Sequence, residues 1–212
     1  MERKSIKGAV RNKEQTKQKF LAAVGKILKI KGFSGLKVND IAATAGLDKK
    51  LIYNYFGGTD QLIDEYIQSQ DFWSNVKSEE VNLNITDGGQ ALSKAMLLSQ
   101  FDHVFKNKEL QKIILGGLTE NRSSLKRLAE KREEEGNLMF EHISDPHFGD
   151  KASRFRAIMA LLISGIYYLD IYATTNNQTF CGLDVSSKEG RTKIEEAMSF
   201  IVEQTYADRK DK

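Results

Sequence analysis

The sequence predicts an all-α chain with a small basic domain in front of a larger helical body. Three observations predict it. Apolar residues recur at the 3.6-residue period along most of the 212 positions, and a single proline, Pro146, leaves long helices uninterrupted. The one alternating stretch, VNLNIT at residues 81–86, finds no second strand pattern to pair with, so it is expected to be an extended linker.

Charge is distributed unevenly along the chain. Residues 1–60 hold 13 Lys/Arg against 5 Asp/Glu, whereas residues 61–212 hold 19 against 24. Such a front attracts a polyanion, because phosphate backbones draw dense positive charge at long range. The start, MERKSIKGAVRNKEQ, has no apolar run of signal-peptide length, and the longest uncharged apolar stretch, Ala157 to Leu169, is 13 residues, too short for a bilayer. A cytoplasmic location is expected. The single cysteine, Cys181, excludes an internal disulfide and has no partner at nucleophile or metal spacing.

Element by element, residues 1–12 are expected to be a flexible basic arm. Phe20, Ala23, Val24, Ile27 and Leu28 then mark a first helix that ends near Gly32. Val38 to Ala45 suits a second, with Gly46 as a left-handed cap, and residues 48–56 suit a third with Asp48 at its N-terminus. Leu62, Ile63, Tyr66 and Ile67 continue into a fourth from Thr59. Helices are further expected at about 89–105, 108–119, 123–143, 151–175 and 187–206, with Asp150 capping the eighth and Ser186, with Glu189, the ninth. The domain boundary is expected at residue 58, giving domains of 1–58 and 59–212.

The third helix raises a chemical question, since LDKKLIYNYFGG (47–58) crowds large and basic side chains into a few turns. Two short helices joined by a glycine-bearing turn, behind a longer amphipathic helix, outline a helix-turn-helix whose second short helix enters the DNA major groove. Leu47, Ile52 and Phe56 can face the small core, which leaves Lys49, Lys50, Tyr53, Asn54 and Tyr55 for other faces. Their chemistries suit DNA: lysine meets phosphate or guanine, asparagine pairs with adenine, and tyrosine donates to phosphate oxygens. Tyr53 can instead serve packing, and Asn54 can simply be solvated.

The stretch GLKVNDIAATAGLDKKLIYNYFGGTDQLI resembles the DNA-binding domain of the tetracycline-repressor (TetR) family of bacterial transcription regulators. The likeness covers about residues 13–67, most tellingly Ile41-Ala42, Ala45-Gly46-Leu47, Ile52-Tyr53, Tyr55-Phe56 and Leu62. It implies nine helices, a homodimer, and a variable C-terminal domain whose small-molecule inducer weakens operator binding. It places groove reading on Asn39, Lys49, Lys50, Tyr53 and Asn54, and backbone clamping on Lys37, Leu51, Tyr55 and Thr59. Four of these positions depart from the family's usual residues: Lys37, Lys50, Leu51 and Thr59. Leu51 cannot donate a hydrogen bond, so Lys37, Lys49 and Lys50 are expected to supply the phosphate grip.

The body is expected to dimerise and to bind a ligand. RFRAIMALLISGIYYLDIYATT carries an apolar face wider than one core stripe needs. Ile158, Leu162, Gly165, Ile166 and Leu169, with Ile194, Ala197, Met198 and Ile201 of the ninth helix, are expected to form a four-helix dimer interface. By resemblance, Trp73, Met96, Phe101, His103, Phe105, Met139, Phe140, His142 and Tyr168 come from the helices that line the inducer cavity, although each, taken alone, is more readily read as plain core. A two-fold dimer would address half-sites about 34–36 Å apart on a near-palindromic operator.

Other classes receive little support. The chain has no G-x-S-x-G, H-E-x-x-H, phosphate-binding loop or dinucleotide fingerprint, and His103, His142 and His147 lack a nucleophile or a third ligand at metal spacing. No catalytic residue, cofactor, metal or membrane partner is expected. A ligand-responsive regulator, expected to be a repressor, leads; a helical small-molecule or protein-binding module that has lost specific DNA recognition is the alternative.

Overall fold

The computed structural model describes the backbone of residues 3–71 and 85–208, with side chains from Asn12 onward. The helices are α1 (Arg3–Lys31), α2 (Val38–Ala45), α3 (Lys50–Phe56), α4 (Thr59–Gln70), α5 (Gln90–Lys106), α6 (Lys108–Thr119), α7 (Ser123–Met139), α8 (Ala152–Asn176) and α9 (Lys188–Ala207). Among the described residues there is no strand, only one isolated bridge between Phe180 and Leu183.

The chain divides into two compact units, Met1–Ser74 with Lys112–Glu130, and Asn75–Gln111 with Lys131–Lys212. The boundary expected at residue 58 is therefore displaced: α4 packs within the first unit, through Leu62, Ile63, Tyr66 and Ile67. The apolar stripe of α4 is continuous with the small core, so cutting at Gly58 would expose it.

In the first unit, Phe20, Val24, Ile27 and Leu28 of α1 meet Ile41 and Ala42 of α2, Ile52 of α3 and the α4 stripe. Ile113, Leu125 and Leu128 from α6 and α7 complete this core. Two polar ties fasten that second segment: the Arg122 guanidinium donates to the Phe33 carbonyl at 2.6 Å, and Arg127 pairs with Asp64 at 2.6 Å. The stretch expected to be a flexible arm is helical from Arg3. Apart from Gly8 its residues place no backbone breaker ahead of the core stripe, and it is rich in good helix formers.

The second unit is built on Phe101, Phe148, Phe155, Met159, Ile166, Met198, Val202 and Tyr206. Asp87 opens α5, accepting from the amides of Gly89 (2.9 Å) and Ala91 (2.8 Å), and those bonds hold its carboxyl below the usual carboxylate range. Of the VNLNIT linker, residues 81–84 lie outside the described residues, and Ile85–Asp87 form a 3-10 turn.

α7 does not stop as expected. It runs on through a π turn at Phe140–Ser144 and a single helical turn at Asp145–Phe148. Pro146 has no N–H to continue the ladder, and just before it the Asp145 amide reaches back five residues to the Phe140 carbonyl. Arg156 of α8 spans the widened turn, donating to both Asp145 oxygens (3.1 and 2.6 Å) and to Asn137 Oδ1 (2.7 Å), with its guanidinium 4.9 Å from the Phe140 ring centre.

Two expected caps are corrected. Asp150 sits in a 3-10 turn, and α8 starts after Lys151 with no side-chain cap. At α9 the cap is Ser187, whose hydroxyl accepts from the Gly190 amide at 3.0 Å, while Ser186 donates to Asp184. The run Ser123–Asn176 includes a window long and apolar enough, by length and composition, to cross a membrane. Its α8 portion instead contributes Phe155, Met159, Ile166 and Ala173 to the core of the second unit and carries the fully buried Asp170.

Candidate nucleic-acid interface

The α2–turn–α3 segment is shaped by its backbone. Gly46 ends α2 in the left-handed region (φ 66°, ψ 34°), and the Leu47 amide returns to the Ala42 carbonyl at 3.1 Å. That closure satisfies a carbonyl which the end of a helix would otherwise leave unpaired. Asp48 Oδ1 then accepts from the Lys50 amide at 2.8 Å and sets the start of α3, in keeping with its expected capping role. Gly57, at φ 87°, stops α3 with a bond to the Tyr53 carbonyl.

One side of α3 fixes it to the unit. Ile52 is fully buried, Leu47, Leu51 and Phe56 pack against the core from its edge, and the Phe56 and Phe20 rings meet edge to face at 6.1 Å. Burying Ile52 alone is worth about 1.5–3 kcal/mol. The other side is open: Lys49, Lys50 and Asn54 are exposed, and Tyr53 is 54% exposed. Side chains of this size left outward on a seven-residue helix have no role in the core.

The neighbours of α3 add to that surface. Lys37 and Asn39 of the α2 start are exposed, and Lys49 Nζ donates to Asn39 Oδ1 at 3.3 Å. The five residues expected to read the groove thus lie on exposed positions of one helix-turn-helix. Of those expected to clamp the backbone, Lys37 is exposed and Tyr55 is half-buried, with the Lys13 ammonium 5.6 Å from its ring centre. Thr59 is half-buried at the start of α4, where Asp60 puts a negative charge in the first turn that opposes a phosphate there. Leu51 is packed rather than presented. The basic contribution of α1 beside α3, through Lys13 and Lys17, was not in the expected set; its signal was the charge count of the front.

In the second unit the residues expected to line a cavity are not all brought together. Trp73 lies outside the described residues. Phe101 is fully buried, and Met96, His103, Phe105, Met139 and Phe140 are half-buried. His142 is exposed, with Nδ1 2.8 Å from the Leu138 carbonyl of its own helix. Tyr168 is 54% exposed in an aromatic cluster with Tyr172 and Phe180.

A polar group absent from the expectations sits inside this unit. The Arg191 guanidinium lies 3.8 Å from the Phe101 ring centre and 4.1 Å from that of Phe105, and donates to Asp170 Oδ1 at 2.8 Å and the Phe101 carbonyl at 3.0 Å. Asp170 Oδ2 has no hydrogen-bond partner among the described residues, and burial pushes the Asp170 carboxyl up to about 7 even though the Arg191 hydrogen bond pulls it down. The expected dimer set also divides. Ile166 and Met198 are interior, whereas Ile158, Leu162, Gly165, Leu169 and Ile194 are half-buried. Ala197 and Ile201 are exposed, as are Leu161 (75%) and Phe200 (60%).

Comparison with known proteins places these features. The chain's residues 21–66 match the family model described as bacterial regulatory proteins, tetR family. A solved structure from Clostridium perfringens, provisionally named a fatty acid metabolism regulator, shares the fold at a TM-score of 0.61 and 15% identity, covering 87% of this chain and 96% of that one. NalD of Pseudomonas aeruginosa, the secondary repressor of the MexAB-OprM multidrug efflux pump, aligns at a TM-score of 0.57 and 15% identity over 88% of this chain and 95% of its own. No curated protein matches the sequence. The matched segment holds the helix-turn-helix, from the second half of α1 into α4, and the fold of the chain as a whole is shared with these solved structures.

Proposed function

We propose that the chain is a DNA-binding transcriptional regulator, acting as a repressor that a small molecule releases from a near-palindromic operator. The observation that carries this reading is the division of α3: Ile52 and Phe56 hold it in place while Lys49, Lys50, Tyr53 and Asn54 stand outward. In a major groove, Asn54 would reach base edges and Lys37, Lys49 and Lys50 the phosphates, with Leu51 serving only to seat the helix. The repressor named among similar structures is NalD, which favours this sign of regulation.

The protein would act as a homodimer in the cytoplasm. Leu161, Tyr168, Ala197, Phe200 and Ile201 leave apolar surface on α8 and α9 that a second copy would cover. The inducer is proposed to bind within the second unit near Met96, Phe101, His103, Phe105 and Met139. Its chemical identity would be that of a ligand with apolar bulk and few polar groups.

Selection of binding sites from random duplex DNA with the purified protein tests the reading. The expected result is an inverted repeat, bound with an affinity that falls steeply as salt rises. Absence of any salt-dependent duplex binding would favour the alternative, a helical ligand- or protein-binding module without DNA recognition.

A further inference from the structure

Tyr167, Asp170 and Thr174 recur at i, i+3 and i+7 spacing on α8, and each meets a polar group of another helix in the second unit. The Tyr167 hydroxyl accepts from Gln100 Nε2 of α5 at 2.7 Å. Thr174 Oγ1 donates to Gln111 Oε1 of α6 at 2.7 Å, and Gln111 Nε2 donates in turn to the carbonyls of Val104 (2.9 Å) and Phe105 (3.2 Å). Asp170 is matched only by half: Oδ1 accepts from Arg191 of α9, while Oδ2, on a residue that is 0% exposed, has no hydrogen-bond partner among the described residues. A buried carboxyl oxygen left unmatched costs free energy, and the neighbouring pairs show how this interior otherwise satisfies its polar groups.

Arg191 decides what can complete the carboxyl. Its side chain is 11% exposed, it lies over the Phe101 and Phe105 rings, and it keeps its charge at any pH the fold survives. A second cation at Oδ2 would leave the pair with uncompensated positive charge, and an anion would meet the carboxylate. A group that only accepts would need the protonated acid, which leaves Arg191 buried without a counter-charge. A neutral O–H or N–H donor avoids all three costs, because it completes the ionised carboxylate that Arg191 already favours. Ile166 and Ala173, on the same side of α8, and Phe101 are buried in this core, so the rest of such a ligand meets apolar surface.

We propose that Asp170 Oδ2 anchors the ligand of the second unit, and that it takes the hydroxyl or N–H of a neutral, otherwise apolar compound. This rests on the reading that the second unit binds a small molecule, and it names the polar group which that molecule carries. Binding is then coupled to proton release. In the folded chain Asp170 titrates at about 7, and a donor at Oδ2 stabilises the ionised form, so a complex formed at pH 7 expels about half a proton. Apart from Arg191, the charge that acts on Asp170 is Asp102 of α5, which is exposed and paired with Lys106 at 2.8 Å.

The test uses the full-length protein and matched probes: toluene with benzyl alcohol, naphthalene with 2-naphthol, and acetophenone as a compound that only accepts. Titration calorimetry at about pH 6 and 8, in buffers of different ionisation enthalpy, gives affinity and protons released. The two hydroxyl compounds are expected to bind more tightly than their apolar twins and about tenfold more tightly at the higher pH, with proton release. The apolar twins should show no such dependence. Asp170→Asn keeps an acceptor for Arg191 but cannot ionise, so it should show neither pH dependence nor proton release; this also separates Asp170 from His103 of α5, since imidazoles ordinarily titrate near neutrality. If that variant fails to fold, the contrast within each pair on the parent decides. Hydroxyl compounds that bind no better than their twins, affinity that rises toward acid, or a preference for acetophenone would overturn the anchor while leaving a ligand site in the second unit. Binding of none of the probes would overturn both, and duplex binding, measured separately, would still stand on α3.

Discussion

Lys49 Nζ stands 3.3 Å from Asn39 Oδ1, joining the start of α3 to the start of α2 across the outer side of the turn. The contact is exposed and adds little stability. It does pre-set the direction of a lysine that would otherwise sample many rotamers, and it occupies the Asn39 acceptor while leaving that amide's donors free.

Replacing Lys49 or Lys50 with alanine is expected to weaken duplex binding and to reduce the slope of log affinity against log salt by about one for each phosphate left without its lysine. Fluorescence anisotropy over a salt series measures both. Slopes unchanged in both variants would mean that the DNA face had been assigned to the wrong side of α3.

Asn54→Ala should act differently, relaxing preference at one base position by about 1–3 kcal/mol with the salt slope preserved. Competition between the selected site and its single-base variants reads this directly. A uniform loss over all sequences would place Asn54 on the backbone instead.

Gly46→Ala should destabilise the protein by about 1–2 kcal/mol, because φ at 66° forces a side chain into the left-handed region. No neighbour crowds the position, so the cost is conformational rather than steric. Thermal unfolding gives the value, and a stability equal to that of the parent would show that the turn relaxes to another geometry.

The buried pair in the second unit predicts a dependence on pH. Asp170 holds its proton up to about pH 7 in the folded chain, well above the usual carboxylate value of about 4. Its contribution to stability is therefore greatest below about pH 4 and declines as pH rises from there to about 7. Arg191→Leu removes the partner that favours the ionised form, so its destabilisation should reach about 3 kcal/mol at mildly alkaline pH and be smaller in mild acid. Urea unfolding at the two pH values distinguishes this from a loss of stacking on Phe101 and Phe105, which would cost the same at both.

Leu161→Glu combined with Phe200→Glu should convert a dimer into a monomer in light scattering with helicity unchanged, since both side chains are more than half exposed in the single chain. A dimeric mass in that variant would move the interface elsewhere.

The helices and the outward side of α3 were legible in the sequence, because both are local properties. A 3.6-residue period, the glycines at 46 and 57 and the capping Asp48 act within a turn or two of themselves, and they set which residues of α3 can turn inward. The tertiary structure decided what depends on neighbours far along the chain. Ile166 and Met198 are interior while Leu161 and Phe200 are not, because the helices packed on either side determine which arc of a broadly apolar helix is covered. The same holds for Arg191, whose position in sequence gives no hint of Asp170 twenty-one residues earlier or of Phe101 ninety residues earlier. Periodicity fixes the face on which a residue lies, but only packing determines what that face meets, and burial free energy is realised only where another element removes the water.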